Sequence, residues 1–101
     1  MKTAYICSPY KGETEMNVEY AKELTKEAIK RGYAPVTPHL YLTQCLDDNK
    51  TKERELWLDI ALSLVEKCDT ILIGTKYTIS EGMRKEIQIA YELQKLFEYH
   101  Y

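Results

Sequence analysis

Residues 68–74, "CDTILIG", are mostly apolar and show none of the in-and-out alternation of a strand with one wet face. Such a run marks a strand buried on both faces, and a sheet covered on both sides needs helices above and below it. The rest of the chain supplies the parts. Residues 3–8, "TAYICS", form another β-rich run, stopped by Pro9 and a loop, "YKGE", with Gly12 as its turn residue. A helix is expected from about Thr14 to Arg31, because Val18, Ala21, Leu24 and Ala28 recur at three or four and Gly32 stands where a C-terminal cap belongs. Residues 33–37, "YAPVT", read as a short strand that Pro35 confines to an edge, since proline cannot donate to a ladder.

Residues 38–50, "PHLYLTQCLDDNK", read as a long loop, the first place to look for a lid. A second helix is expected from Thr51, as N-cap, to Lys67, with a charged and solvated first turn followed by Trp57, Ile60, Ala61, Leu64 and Val65 at helical spacing. After the 68–74 strand and a loop, a third helix spans about 80–95, and the tail "LFEYHY" reads as a last short strand. The order predicts an α/β fold in one domain, residues 1–101. It is a three-layer α/β/α sandwich with a doubly wound, mostly parallel sheet of four to five strands, Rossmann- or flavodoxin-like.

With 101 residues, the chain can build a real core but is short for an enzyme that encloses its substrate alone. A net charge of −2 offers no basic footprint for nucleic acid. The apolar runs fall far short of the roughly 20 residues that span a bilayer, so no membrane partner and a cytoplasmic location are expected. Cys7, Cys45 and Cys68 are odd in number and widely spaced, which reads as free thiols in a reducing compartment. His39 and His100 have no second ligand at metal spacing, so neither a metal nor another cofactor is expected.

One residue of the third helix breaks its pattern. Projected at about 100° per residue with Met83 at zero, the apolar stripe runs through Leu93, Phe97, Ala90, Met83 and Ile87, and Glu86 falls inside it at roughly 300°. In a doubly wound sheet, ligands bind outside the carboxyl ends of the strands, where the strand order reverses. "SPYKG", "PHLY" and "GTKYTISEG" should converge there, with Glu86 facing the same crevice. Ser80 and Gly82 at the helix start suit an anion, or are simply an N-cap and a packing accommodation. Tyr5 and Tyr10 flank the end of the first strand, and His39 follows the second. Asp47 and Asp48 read as a solvated acidic turn, and Asp69 lies at the wrong end of its strand for the crevice.

"YICSPY" and "SEGMRKEIQIA" resemble the nucleoside 2-deoxyribosyltransferase-like superfamily, closest to its short bacterial and phage members of unassigned function. The resemblance covers essentially the whole chain, and its most specific part is the spacing of Ser80, Gly82, Met83, Glu86 and Ala90. It implies that Glu86 is a nucleophile attacking the anomeric carbon of a nucleoside or nucleotide, with Tyr5 positioning it. Ser8, Pro9 and Tyr10 then cradle sugar or phosphate, and Ser80, Gly82 and Met83 bind the 5′-hydroxyl or 5′-phosphate, with His39 nearby. It also implies a homodimer or larger homo-oligomer.

Two departures stand out. Ile79-Ser80-Glu81 replaces the superfamily's aspartate ahead of the glutamate, and the aspartate that helps protonate the leaving base falls on Ala61 rather than Asp59. A substitute acid would have to come from Asp47, Asp48 or His39. The chain therefore reads as an N-glycosidase or deoxyribosyltransferase, or else as a non-catalytic binder of a nucleotide-derived signalling ligand in the same crevice.

Overall fold

The computed structural model describes residues 1–10, 14–47 and 49–101, without the side chain of Thr14. Gly12 and Asp48 lie outside the described residues. Four strands, β1 (Thr3–Cys7), β2 (Ala34–Val36), β3 (Thr70–Gly74) and β4 (Leu96–His100), form one parallel sheet in the order β2-β1-β3-β4. The helices are α1 (Thr14–Lys30), α2 (His39–Leu42), α3 (Thr51–Lys67) and α4 (Glu81–Glu92). The α/β architecture expected from the apolar runs is the one observed. β1 and β3 are the inner strands, every residue of β3 is buried, and β2 pairs with β1 alone, as Pro35 requires.

Strand alternation sorts the core into two halves. Ala4, Ile6 and Leu72 point toward α1, where Tyr20, Leu24 and Ala28 meet them. Tyr5, Cys7, Ile71 and Ile73 point the other way, into a cluster that holds Trp57, Ala61 and Val65 of α3 with Met83 and Ala90 of α4. Asp69 anchors the opposite end of the sheet from the crevice. Its Oδ2 accepts from the Thr3 backbone N–H at 2.9 Å and from the Thr3 hydroxyl at 3.1 Å.

Three local readings change. Residues 38–50 are not a plain loop, because Pro38, at φ −63°, opens α2 and its carbonyl accepts from Leu42 N–H at 2.8 Å. A proline ring presets the helical φ and lacks only an N–H that the first turn would leave unpaired. Thr51 is the first residue of α3 rather than its cap; that position belongs to Lys50, which is extended and makes no side-chain capping bond. The stripe of α4 also stops earlier than its projection, since the helix ends at Glu92, Leu93 is an exposed C-cap and Phe97 lies on β4.

Two of the three helix exits that feed strands, those of α1 and α4, use the same device. After α1, Gly32 adopts φ +90°, with Gly32 N–H bonded to the Ile29 carbonyl and Tyr33 N–H to the Ala28 carbonyl, each at 3.0 Å. After α4, Gln94 adopts φ +57°, with Gln94 N–H on Tyr91 O at 3.0 Å and Lys95 N–H on Ala90 O at 2.9 Å. Each pair of bonds is the double closure that a left-handed residue allows just past a helix end. Gln94 does the work of a glycine, which is how β4 begins without a glycine or proline before it.

Candidate active site

The chain runs from β1 to β2 on one side of the sheet and then crosses to β3 on the other, so the strand order reverses between β1 and β3. Residues beyond the carboxyl end of β1 and those opening α4 meet at this point. Tyr5 and Cys7 are two apart on β1 and so share a face, and α4 lowers Glu86 onto them. Tyr5 donates its hydroxyl to Glu86 Oε2 at 2.6 Å, and the Cys7 thiol donates to Glu86 Oε1 at 3.3 Å. All three side chains are fully buried.

Burial pushes the Glu86 carboxyl up to about 7, although the bonds from Tyr5 and Cys7 favour its ionised form and pull the other way. Burial, and then the charge of Glu86, raises the Tyr5 phenol and the Cys7 thiol well above their ordinary values. Both therefore remain protonated donors at neutral pH. The result is a carboxyl group near its midpoint at physiological pH, held from two sides by neutral donors.

Tyr10 roofs the neighbouring space. Its ring stacks on Trp57, with centroids 4.9 Å apart and planes 18° apart, and lies 5.1 Å from the His39 ring. It also fills the place where a side chain at Gly82 would begin: a Cβ there would fall 2.7 Å from Tyr10 Cζ. The glycine thus admits Tyr10 against the first turn of α4, in keeping with a packing accommodation. Tyr10 lines a groove of about 410 Å³ with Leu46, Asp47, Glu53 and Trp57, and another of about 380 Å³ with Arg54, Ser80, Gly82 and Lys85. A small cavity of about 10 Å³ lies behind it, bordered by Pro9, Asn17 and His39.

The remaining expected residues are close by. Ser80 is the N-cap of α4, its Oγ accepting from Met83 N–H at 3.2 Å. Met83 is buried beside Cys7, with its carbonyl 4.0 Å from Sγ. His39 sits in the first turn of α2 with its ring 6.4 Å from that of Tyr5, and burial alone lowers its pKa to about 4. It is a neutral imidazole at pH 7, unsuited to act as an imidazolium acid. Among the described residues, Ser8 Oγ, both His39 ring nitrogens and Trp57 Nε1 are buried with no hydrogen-bond partner. Asp47 is exposed on the turn before α3, where its backbone N–H donates to Glu53 Oε1 at 3.2 Å. Ala61, by contrast, is fully buried core.

Sequence reasoning missed two residues. In the sequence Cys7 reads only as a free thiol, although its two-residue spacing from Tyr5 on a strand places it on the same face. Trp57 was read as one of a helical apolar series, and nothing in that periodicity distinguishes a ring that stacks under Tyr10. Among the described residues no three His, Cys, Asp or Glu side chains gather as a metal site, and no helix is long and apolar enough to cross a membrane.

Fold and site together define a parallel α/β protein with a buried carboxylate at the strand-order reversal. Over residues 2–100 the sequence matches the family described as a domain of unknown function, DUF7768, and the chain belongs to that family. No curated protein matches it. Among solved structures it is similar to a 2-deoxyribosyltransferase from the psychrotolerant bacterium Bacillus psychrosaccharolyticus, with a TM-score of 0.68 and 16% identity, over 96% of this chain and 70% of that one. It is also similar to a 2-deoxyribosyltransferase from Leishmania mexicana, with a TM-score of 0.62 and 19% identity, over 98% of this chain and 63% of that one. The likeness is one of fold, and the chain spans less than two thirds of the second enzyme.

Proposed function

We propose that this protein cleaves the N-glycosidic bond of a nucleoside or nucleotide through Glu86, as a hydrolase or a deoxyribosyltransferase. The observation that carries this reading is a fully buried glutamate at the strand-order reversal, held by a phenol at 2.6 Å and ionising near neutrality. The fold shared with two 2-deoxyribosyltransferases supports it. Once Tyr10 swings off Trp57, a base stacks in its place. The Glu86 carboxylate attacks the anomeric carbon as the bond to the base breaks, giving a glycosyl ester that water or an acceptor base then resolves. With Ala61 in the place of the superfamily's acid, proton supply falls to Asp47 or Glu53 on the groove beside Trp57.

Ser8, Pro9 and Tyr10 border the sugar in this reading, and Ser80, Gly82 and Met83 border its 5′ end. In this reading the protein works in the cytoplasm as a homodimer or larger homo-oligomer. Incubation with a panel of nucleoside monophosphates, followed by chromatography for free base, tests the reaction. Release of base that disappears in Glu86→Ala is the expected result; equal release by that variant would remove Glu86 from the chemistry.

A second reading, a non-catalytic binder of a nucleotide-derived ligand, is favoured by the buried Ala61 and by the sealing of Glu86. It predicts thermal stabilisation that grows with ligand concentration and recovery of the ligand intact. Recovery of cleaved ligand rejects it.

A further inference from the structure

The two oxygens of Glu86 are held by unequal donors. A hydroxyl–carboxylate bond of 2.6 Å is short and charge-assisted, and it draws charge from Oε2. A thiol is a weak donor, so at 3.3 Å the Cys7 S–H orients Oε1 while leaving most of its electron density in place. The sulfur also lies 4.0 Å from the Met83 carbonyl, one turn earlier on α4, so its hydrogen has a second acceptor to turn to.

We propose that Cys7 is a positioning residue that makes Oε1 the attacking oxygen of Glu86, an inference that rests on the glycosyl-transfer reading. As Oε1 forms its bond to the anomeric carbon, the C–N bond breaks and its electron pair leaves with the base. The carboxylate becomes a neutral ester, and the thiol hydrogen turns from Oε1 to the Met83 carbonyl. The base leaves with the proton that Asp47 or Glu53 supplies; when water resolves the ester, its oxygen bonds to the anomeric carbon and one of its protons returns to that carboxylate. Oε1 recovers its pair and charge, and the thiol turns back. Cys7 does not compete as a nucleophile, because burial and the nearby carboxylate keep it protonated.

The surroundings isolate this effect. Among the described residues, the titratable groups on Glu86 are Tyr5 and Cys7 from β1, with Tyr10 and His39 beyond Tyr5. α3 contributes Trp57, Ala61 and Val65 to the same core, and β3 contributes Ile71 and Ile73, none of which titrates. A change at Cys7 therefore reads out on Glu86 directly.

The test compares the wild type with Cys7→Ala and Cys7→Ser, using carboxyl-carbon NMR to follow the Glu86 titration and nucleotide cleavage to give the pH profile. Loss of the donor in Cys7→Ala should move the Glu86 midpoint up by roughly half to one pH unit. The stronger hydroxyl donor of Cys7→Ser should move it down while lowering the cleavage plateau several-fold, so that the acid limb shifts to lower pH even as the plateau falls. The S–H stretching band of the wild type should shift in Glu86→Gln, whose amide is a weaker acceptor. Coincident midpoints in all three proteins, or a wild-type plateau in Cys7→Ser, would overturn the proposal. If Cys7→Ala does not fold, Cys7→Ser and the S–H band decide it. The expected titration shifts in the variants, found together with a wild type that cleaves nothing, would overturn the attacking-oxygen role through the failure of the nucleophile reading, not through the contact.

Discussion

Tyr5 and Glu86, 81 residues apart in the chain, meet at 2.6 Å with neither side chain exposed. Tyr5→Phe removes the stronger of the two donors on the carboxyl group, so the Glu86 pKa should rise above about 7. The loss of stability should depend on pH. Where Glu86 is charged, at pH 8, a buried charge-assisted bond is worth about 1.5–3 kcal/mol; at pH 5, where the carboxyl is protonated, the loss should be smaller. Urea unfolding at the two pH values measures the difference, and an equal loss at both would contradict the charged-acceptor assignment.

Glu86 and His39 should bend the pH dependence of stability in opposite directions. The native Glu86 keeps its proton up to about 7 while the unfolded group releases it near 4.5, so its contribution is fully present below 4.5 and is lost as pH rises through 7. The native His39 stays neutral down to about 4 while the unfolded ring takes a proton near 6.5, so its contribution is present above 6.5 and is lost as pH falls through 4. Each is worth about 3 kcal/mol, and between pH 4.5 and 6.5 the two largely cancel. Glu86→Gln should unmask stability that rises with pH across 4 to 6.5, and His39→Phe stability that falls across 4.5 to 7. Denaturation midpoints recorded against pH check both; wild-type profiles in both variants would refute the assignment.

Gln94 holds a left-handed conformation, φ +57°, that glycine adopts at lower cost. Gln94→Gly should stabilise the protein by up to about 1 kcal/mol, seen as a higher melting temperature at unchanged activity. A lower melting temperature would show that the Gln94 side chain contributes more than its backbone strain costs.

Trp57 is the only tryptophan, and its ring lies under Tyr10. A ligand that displaces Tyr10 and stacks in its place should change Trp57 emission. Nucleoside monophosphates should produce the change and ribose 5-phosphate should not, while Tyr10→Ala should alter the emission of the free protein. An identical response to ribose 5-phosphate would argue against a base in that slot.

The fold was legible wherever periodicity and punctuation agreed. The unbroken apolar run of β3, the three-four spacing and Gly32 of α1, and the proline in β2 each marked their element. α2 stayed hidden because a lone helical turn has too few residues to show a period, and β4 was weakly marked because Gln94, rather than glycine, makes the exit from α4. The projection of α4 ran past its end for the same reason and placed Leu93 and Phe97 on a helix face they do not share. At the site, Glu86 stood out as a charge on an apolar stripe, whereas Cys7 and Trp57 looked like ordinary core. The partners of a buried polar group are fixed by register between elements, which no local pattern records.

Tyr5, Cys7, Ser8 and Tyr10 all come from six consecutive residues, and the strand that begins them is paired on both sides, with β2 and with β3. Chemistry and scaffold are therefore spliced into one segment. Deleting it would dismantle the middle of the sheet, so a shortened form that keeps its shape while shedding its reactivity is not open to this chain. Drift toward an inert relative has to proceed by exchange of single side chains on an intact β1.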